Sequence, residues 1–411
     1  MSIKNFIYSR KDEGIYRKRT ILGIKITTKL NKPKELQNTI PIFEVIKYPN
    51  YSTEKKYKLA IILAFGIGDY ILFRKFLPYV RDYYKSYNIT LIGNNSHKDI
   101  IEYFDVNYID EYICYQGIFC NIEELKSFLD KNNMKYDILI SHFYGRQPPH
   151  NDMVSVINAR EKIGSYGSLG PLSHGMRGNS SKIYTKLIYN NIDEDETTHE
   201  ITRNKNFFEQ LLDVNIKLND MNIEIDKKFF EKIDFNFNKK FFILFPSSAE
   251  DRRMYNNEYF AKICNYLCSR YNLICYIVGS KSDGDLANEI IQISNSKNIK
   301  NICGKYKLNE LFYIFNKAKL IITVDSAGYH MGVSVSDNII VITSGMSYGR
   351  YLKYPKELVN GKNINIVLPK ELEEDIENNN TKLDYEYEPL YDLQSIKPDY
   401  ICKLIDDKYK F

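Results

Sequence analysis

The sequence predicts an α/β protein built from two Rossmann-like domains that face a central cleft. Three observations carry that expectation. At 411 residues the chain is too long for one compact core, so two domains are expected. Beyond Lys58 it alternates short β-branched runs with amphipathic stretches, the pattern of a parallel sheet covered on both faces. The alternation then begins afresh at Phe241. The expected organisation is a basic extension over 1–57, a first Rossmann-like domain over 58–225, a second over 226–370, and an acidic stretch with a closing helix over 371–411.

Taken in order, Leu59–Ala64 reads as a strand and Asp69–Tyr84 as a helix. Strands are predicted at Thr90–Gly93, Tyr108–Cys114 and Asp137–Ser141, and helices at His97–Phe104 and Asn121–Asn132. The segment from Asp152 to Asp213 reads as mainly helical, with a Gly-rich loop at Gly164–Pro171. In the second series the continuous apolar run Phe241–Phe245 predicts a buried central strand. The helix Asn257–Tyr271 follows, with Phe260, Ile263, Cys264 and Leu267 on one face. Then come strand Ile274–Val278, helix Asp285–Ser294, strand Ile299–Ile302, helix Leu308–Ala318, and strands Leu320–Val324 and Asn338–Thr343. The two series join near Asn219–Lys228; Glu371–Glu388 reads as a flexible surface stretch and Ile396–Tyr409 as a helix.

Bulk properties exclude several classes. The longest apolar run, Leu59–Gly68, is far short of a membrane span, and the start lacks a signal-peptide core, so a cytoplasmic protein is expected. Seven scattered cysteines without a Cys-x-x-Cys pair point to neither a disulfide framework nor a zinc site; Cys264 and Cys268 read as small buried hydrophobes. Charge is uneven: Met1–Lys58 carries fourteen Lys or Arg against five acids, while the whole chain is only +5. Such an excess marks an anionic partner or a solvated tail, and the alternation in Arg17–Lys29 about a central Leu-Gly predicts a small basic hairpin.

Chemistry gathers at the strand ends. Phe65-Gly66-Ile67-Gly68-Asp69-Tyr70 closes the first strand. Gly-x-Gly invites a dinucleotide reading, but the third glycine would fall at Ile71, so NAD binding is rejected; nor is there a Gly-Lys-Ser/Thr loop for nucleoside triphosphates. Asp69 opens a helix, whose dipole favours the ionised carboxylate, so a weak but unprotonated base is expected. In the second half, Leu320-Ile321-Ile322 runs into Thr323-Val324-Asp325-Ser326-Ala327-Gly328-Tyr329-His330. A β-branched run that stops at Asp-Ser-small-Gly reads as a strand opening a helix at Gly328 or Tyr329. Small residues there admit a ligand, and Asp325, Ser326 and the first helical N–H groups can receive an anion.

That motif resembles the Asp-Ser-Gly-x-x-His signature of the bacterial heptosyltransferases, glycosyltransferase family 9, and Gly66–Asp69 resembles the family's Gly-Asp turn. The resemblance runs from about Lys58 to Pro355. In Pro246-Ser247-Ser248-Ala249-Glu250-Asp251-Arg252-Arg253-Met254-Tyr255, Arg252 falls on the Lys of the family's Lys-Arg-Trp-Pro, Met254 on the Trp and Tyr255 on the Pro. Asn301–Leu308 matches the Leu-x-Gly-Lys-x-x-Leu loop, Ala159-Arg160 with Ile163-Gly164 an Ala-Arg…Ile-Gly stretch, and His199–Asn204 the His-x-x-x-Arg-Asn helix start. The chain departs from the family in lacking the motif Trp, in Ala327 for Gly, in Ser344-Gly345-Met346-Ser347 for Gly-Pro-Thr, and in the extension; these bear on the identity of the sugar more than on the reaction class.

The resemblance implies a GT-B architecture and an inverting, metal-independent transfer of a sugar, with ADP-heptose the leading donor and a lipopolysaccharide-core or other glycan the acceptor. It implies Asp69 as the base that deprotonates the acceptor hydroxyl, and Ser247, Arg252 and Ser326 as the pyrophosphate clamp. Asp325, Ala327, Gly328 and His330 would belong to the donor pocket, Asp283, ahead of Asp285, would meet the ribose, and Gly304 and Lys305 would line the base pocket. Gly68, His142, Arg146 and His199 would lie on the acceptor side, although His199 reads slightly better as a helix cap. No metal or cofactor beyond the nucleotide sugar is implied, and the basic N-terminus would offer a peripheral contact with the inner membrane. Two alternatives stay open: another nucleotide sugar on the same scaffold, or a sugar-nucleotide-binding protein without activity, against which the pairing of Asp69 with Arg252 argues. A nucleic-acid-binding protein has only the N-terminal charge behind it.

Overall fold

A computed structural model describes residues 8–13, 16–21, 24–29 and 43–411, apart from 64–65, 118–119, 169–178, 190–197, 227–232, 347 and 379–390. The chain divides into two compact units, 1–42 and 43–411. In the first, β1 (Tyr8–Glu13), β2 (Tyr16–Ile21) and β3 (Ile24–Lys29) form an antiparallel sheet in which Ile21 lies opposite Ile24. The expected basic hairpin is thus β2 and β3; its Leu22-Gly23 centre lies outside the described residues.

The second unit holds two sheets. Seven strands make the first: β4 (Phe43–Lys47), β5 (Tyr57–Leu63), β6 (Tyr87–Asn94), β7 (Glu111–Tyr115), β8 (Tyr136–Ser141), β9 (Ala159–Ser165) and β10 (Lys186–Ile188). Their order is β10-β9-β8-β5-β6-β7-β4, parallel throughout except for β4, which runs antiparallel to β7. The second sheet is wholly parallel, built from β11 (Phe241–Phe245), β12 (Ile274–Ile277), β13 (Ile299–Asn301), β14 (Ile321–Val324), β15 (Asn338–Ile342) and β16 (Asn363–Val367) in the order β13-β12-β11-β14-β15-β16.

Burial on both faces explains the continuous apolar strands. In β5, Leu59, Ile61 and Leu63 enter one core while Ala60 and Ile62 enter another. In β11, Phe241 and Ile243 share the first of these cores with β5, whereas Phe242 and Leu244 point to the far side of their sheet. That shared core also takes Tyr70, Phe73 and Phe76 from the first half and Tyr329, Met331 and Val333 from the second. Each fully buried side chain of this size contributes roughly 1.5–3 kcal/mol, so the two halves are joined by apolar packing first. The connection after helix Glu200–Leu212 pairs with the second half, through Met221 N–H to Leu358 O at 3.1 Å and Ile223 N–H to Ser334 O at 2.8 Å. It covers the predicted junction, of which 227–228 lie outside the described residues.

The structure corrects four expectations. Residues 43–57 do not belong with the extension, because β4 completes the edge of the first sheet. The helix Asp69–Tyr84 is two helices, Ile67–Phe73 and Leu77–Tyr83, joined by a 3₁₀ turn at Arg74–Phe76; Pro78, with no N–H to give, sits in the first turn of the second. Within 152–213, expected to be mainly helical, β9 and β10 extend the sheet. In the acidic stretch, Lys370–Glu377 forms a helix that buries Leu372; 379–388 are outside the described residues. Among the described residues no helix is long and apolar enough to cross a membrane.

Candidate functional site

Strand order leaves a crevice beyond the carboxyl ends where neighbouring crossovers diverge, between β5 and β8 in one sheet and β11 and β14 in the other. Asp69 and His142 follow β5 and β8; Ser247 and Asp325 follow β11 and β14. Asp69 lies in the first turn of helix Ile67–Phe73, and with Phe73, His97 and His142 it lines a cavity of about 10 Å³. This helix packs on helix Ala327–Val335, and the approach is tight at Gly68: a Cβ there would stand 2.6 Å from His330 Cδ2.

Asp69 is half-buried, and its carboxyl is raised from the usual 3.8 to about 6, by burial first and then by Glu200; Arg350 and a hydrogen bond from the Tyr351 hydroxyl oppose the rise. The expectation of a weak base is therefore corrected in strength alone: desolvation and a like charge outweigh the dipole, while the carboxyl stays largely ionised at neutral pH. Glu200, buried, receives Arg350 Nε–H at 2.8 Å across the two halves, and its own carboxyl is held low by Arg350 and Arg203 against its burial.

His199 acts from both ring nitrogens. Nδ1 accepts from Ile201 N–H at 3.1 Å and caps its own helix, which leaves Nε2–H to donate to the Tyr351 carbonyl at 3.1 Å. It is a cap and a bridge between halves, with burial pushing its pKa down to about 3. His330 Nδ1 is hydrogen-bonded to the Tyr354 hydroxyl at 2.6 Å, and burial lowers that ring to about 3 as well. His142 stacks on Phe73 at 4.6 Å and is likewise lowered to about 3 by burial. A neutral ring among aromatics cannot meet an anionic acceptor as a cation. Arg146 is buried beside Ser181 Oγ, at 3.3 Å from Nη2, and over the Tyr184 ring.

On the facing sheet, β11 and β14 pair directly, which sets Ser247 and Ser248 beside Asp325 and Ser326; Ser248 Oγ is 3.5 Å from the Asp325 carbonyl. Gly328 is required here, since a Cβ would fall 2.6 Å from Phe245 Cγ and 2.8 Å from Thr323 Oγ1. Ser326 is the N-cap of helix Ala327–Val335 with no side-chain cap, so its first N–H groups face the loop. Arg252 turns to Glu250, Nε to Oε2 at 2.6 Å, and is 39% exposed. It is Arg253, passed over in the sequence, that reaches Asp325, Nη1 to Oδ2 at 3.3 Å. Burial raises the Asp325 carboxyl and Arg253 draws it back. Gly304, at φ +68° and with Lys281 Cα 2.8 Å from where its Cβ would be, donates its N–H to Gly279 O at 3.0 Å. The Gly279–Asp283 and Gly304–Lys305 loops therefore lie side by side, with Lys305 exposed and the Asp283 carboxylate engaged by Ser280 N–H and Oγ, both at 2.6 Å.

The structure thus brings Asp69, Gly68, His199 and His330 together, with Glu200, Arg350, Tyr351 and Tyr354 added. Glu200 stood inside the quoted His199–Asn204 match and carried a signal, an acid at the first position of a predicted helix. Arg350 and Tyr351 carried none, because only the tertiary fold sets them opposite Asp69. Replacing Gly68 by Ala should destabilise the protein by about 1–3 kcal/mol, read as a lower melting temperature, because the added methyl must displace a buried imidazole. An unchanged melting temperature would show that the two helices have room to part.

Residues 167–352 match the family described as glycosyltransferase family 9 (heptosyltransferase). Among solved structures, the chain is similar to a glycosyl transferase of family 9 from Veillonella parvula, at 19% identity over 87% of this chain and 98% of that one, with a TM-score of 0.61. It is similar also to the E. coli heptosyltransferase WaaC with ADP, at 12% identity over 85% and 99% with a TM-score of 0.58. E. coli ADP-heptose lps heptosyltransferase II is similar at 11% identity over 85% and 98%, again with a TM-score of 0.58. No curated protein matches the sequence. The family match thus spans the cleft-forming middle of the chain, and the likeness to these solved structures shows the GT-B fold along most of its length.

Proposed function

We propose that the protein transfers a sugar with inversion from a nucleoside-diphosphate donor, ADP-heptose first among candidates, to a hydroxyl of a lipopolysaccharide-core or other glycan acceptor. One observation carries this: a carboxylate tuned to about 6 stands at the end of one sheet, facing a small-residue, arginine-flanked cradle at the end of the other. A base of that strength is charged near neutral pH yet strong enough to take a hydroxyl proton late in a transfer whose transition state is oxocarbenium-like. In this reading Arg252 and Arg253 neutralise the departing diphosphate, together with Ser247, Ser326 and the N–H groups opening helix Ala327–Val335, without a metal or cofactor. The ADP bound by the E. coli relative favours adenine in the donor.

Two sets of measurements test it. Calorimetric titration with ADP, UDP, GDP and CMP sugars should find tight binding of one nucleotide class, and Arg253→Ala and Arg252→Ala should each weaken it roughly ten- to hundredfold. Equal, undiminished affinity in both variants would remove the arginines from the clamp. Acceptor-dependent release of the nucleotide should rise with pH through about 6, as Asp69 loses its proton. Asp69→Asn should cut turnover by about 10² to 10⁴ while leaving nucleotide affinity alone. The sign for stability is opposite: because the folded value is raised, Asp69's contribution is full below 3.8 and lost as pH rises through about 6.

The basic extension completes the proposal as a contact with anionic membrane at the cytoplasmic face, where each nearby Lys or Arg is worth roughly 1 kcal/mol. Deleting 1–42, which leaves β4 and both sheets whole, should reduce sedimentation with phosphatidylglycerol vesicles and spare nucleotide binding. Equal sedimentation of the two forms would refute it.

A further inference from the structure

Resting on the reading of Asp69 as the base, we infer that His199 and Glu200 are positioning residues that grip the Tyr348–Leu352 turn from across the cleft and hold Tyr351 over Asp69, where an acceptor hydroxyl must otherwise come. The grip has two points. His199 Nε2–H donates to the Tyr351 carbonyl at 3.1 Å, and the Glu200 carboxylate takes Arg350 Nε–H at 2.8 Å. Both gripping residues open one helix of the first half, and both gripped residues are consecutive in a turn of the second. That turn is π-helical, a rare conformation that is frequent at functional sites.

The end of the grip is chemically telling. A general base works on an O–H aimed at its carboxylate, and the Tyr351 ring lies at this site, 6.2 Å from the His330 ring that abuts Gly68, with its phenol among the groups that act on Asp69. The phenol therefore stands in for the acceptor hydroxyl and must leave when a sugar hydroxyl takes its place. No bond is made or broken in this exchange, and the proton stays on the phenol oxygen. The groups facing Asp69 from each packed element are Glu200 of helix Glu200–Leu212, Arg350 and Tyr351 of the turn, Tyr354 beyond it, His330 of helix Ala327–Val335, His142 after β8 and His97 after β6. Burial holds His142 and His330 neutral, and the charges that act on Asp69 are those of Glu200 and Arg350.

Since Glu200 reaches Tyr351 only through Arg350, the test is a double-mutant cycle read on Asp69 itself. The full chain is labelled at the aspartate carboxyl carbons with ¹³C, and the Asp69 resonance is identified by its loss in Asp69→Asn. Tyr351→Phe, which keeps the ring, should raise the Asp69 midpoint by roughly half a pH unit, since a hydrogen bond to the charged form is lost. In the Glu200→Gln background the turn is released, and the same Tyr351→Phe change should move the midpoint by less than about a quarter of that. An equal shift in both backgrounds, or no shift in either, overturns the inference. If Glu200→Gln does not fold, Arg350→Gln releases the turn from the other side and enters the same cycle. The readout needs no donor or acceptor, so an inactive preparation bears on the proposed function and leaves this result standing.

Discussion

The cleft depends on one close approach, between helices Ile67–Phe73 and Ala327–Val335, which a glycine at position 68 permits and any side chain would obstruct. Through that contact the carboxyl ends of the parallel strands of two separate sheets come to share a surface. Apolar packing drives it, because one core passes continuously from β5 through Tyr70 and Phe73 to Tyr329 and β14. The polar contacts between His199, Glu200 and the Arg350-Tyr351 pair add direction to an association that hydrophobic burial alone would leave loosely oriented.

Burial then sorts the titratable groups. His142, His150, His199 and His330 are each pushed down to about 3, so none of these imidazoles carries charge at neutral pH. Their work is geometric: stacking, capping and bridging. The same desolvation lifts Asp69 into the range where a carboxyl can both hold and give up a proton, and the neighbouring Glu200 lifts it further. Glu200 itself stays charged because Arg350 is against it. Two acids a short distance apart thus take opposite characters, and the difference is set by which of them owns the arginine.

Much of this arrangement was legible in the sequence, and the rest was hidden for identifiable reasons. Strand β11 and helix Asn257–Tyr271 were read at their observed limits, since a run buried on both faces and a fifteen-residue amphipathic stretch with an Asn cap are unambiguous. Strands β4, β9, β10 and β16 escaped notice because they lie at or near sheet edges. Ala-Arg-Glu-Lys-Ile-Gly-Ser in β9 is half polar, and its pairing partners supply what its composition does not. At the site, Asp69, Asp325 and His330 announced themselves through short motifs. The Arg252-Arg253 choice did not, because two adjacent identical side chains differ only in the direction the 3₁₀ turn at Asp251–Arg253 gives them. Arg350 and Tyr351 lie about 280 residues from Asp69 along the chain, a separation no local pattern bridges.

The π-helical turn at Tyr348–Leu352 has an evolutionary consequence. A π turn holds one residue more than an α turn, so deleting a single residue there would let the chain relax into ordinary helix. Each residue of an ordinary helix carries about 100° of rotation, so the side chains of the turn itself would point in new directions. Substitutions along this turn can be absorbed one at a time, whereas a change in its length would misdirect Arg350 or Tyr351 at a stroke. Lineages of this protein should therefore vary in the letters of that segment far more readily than in their number.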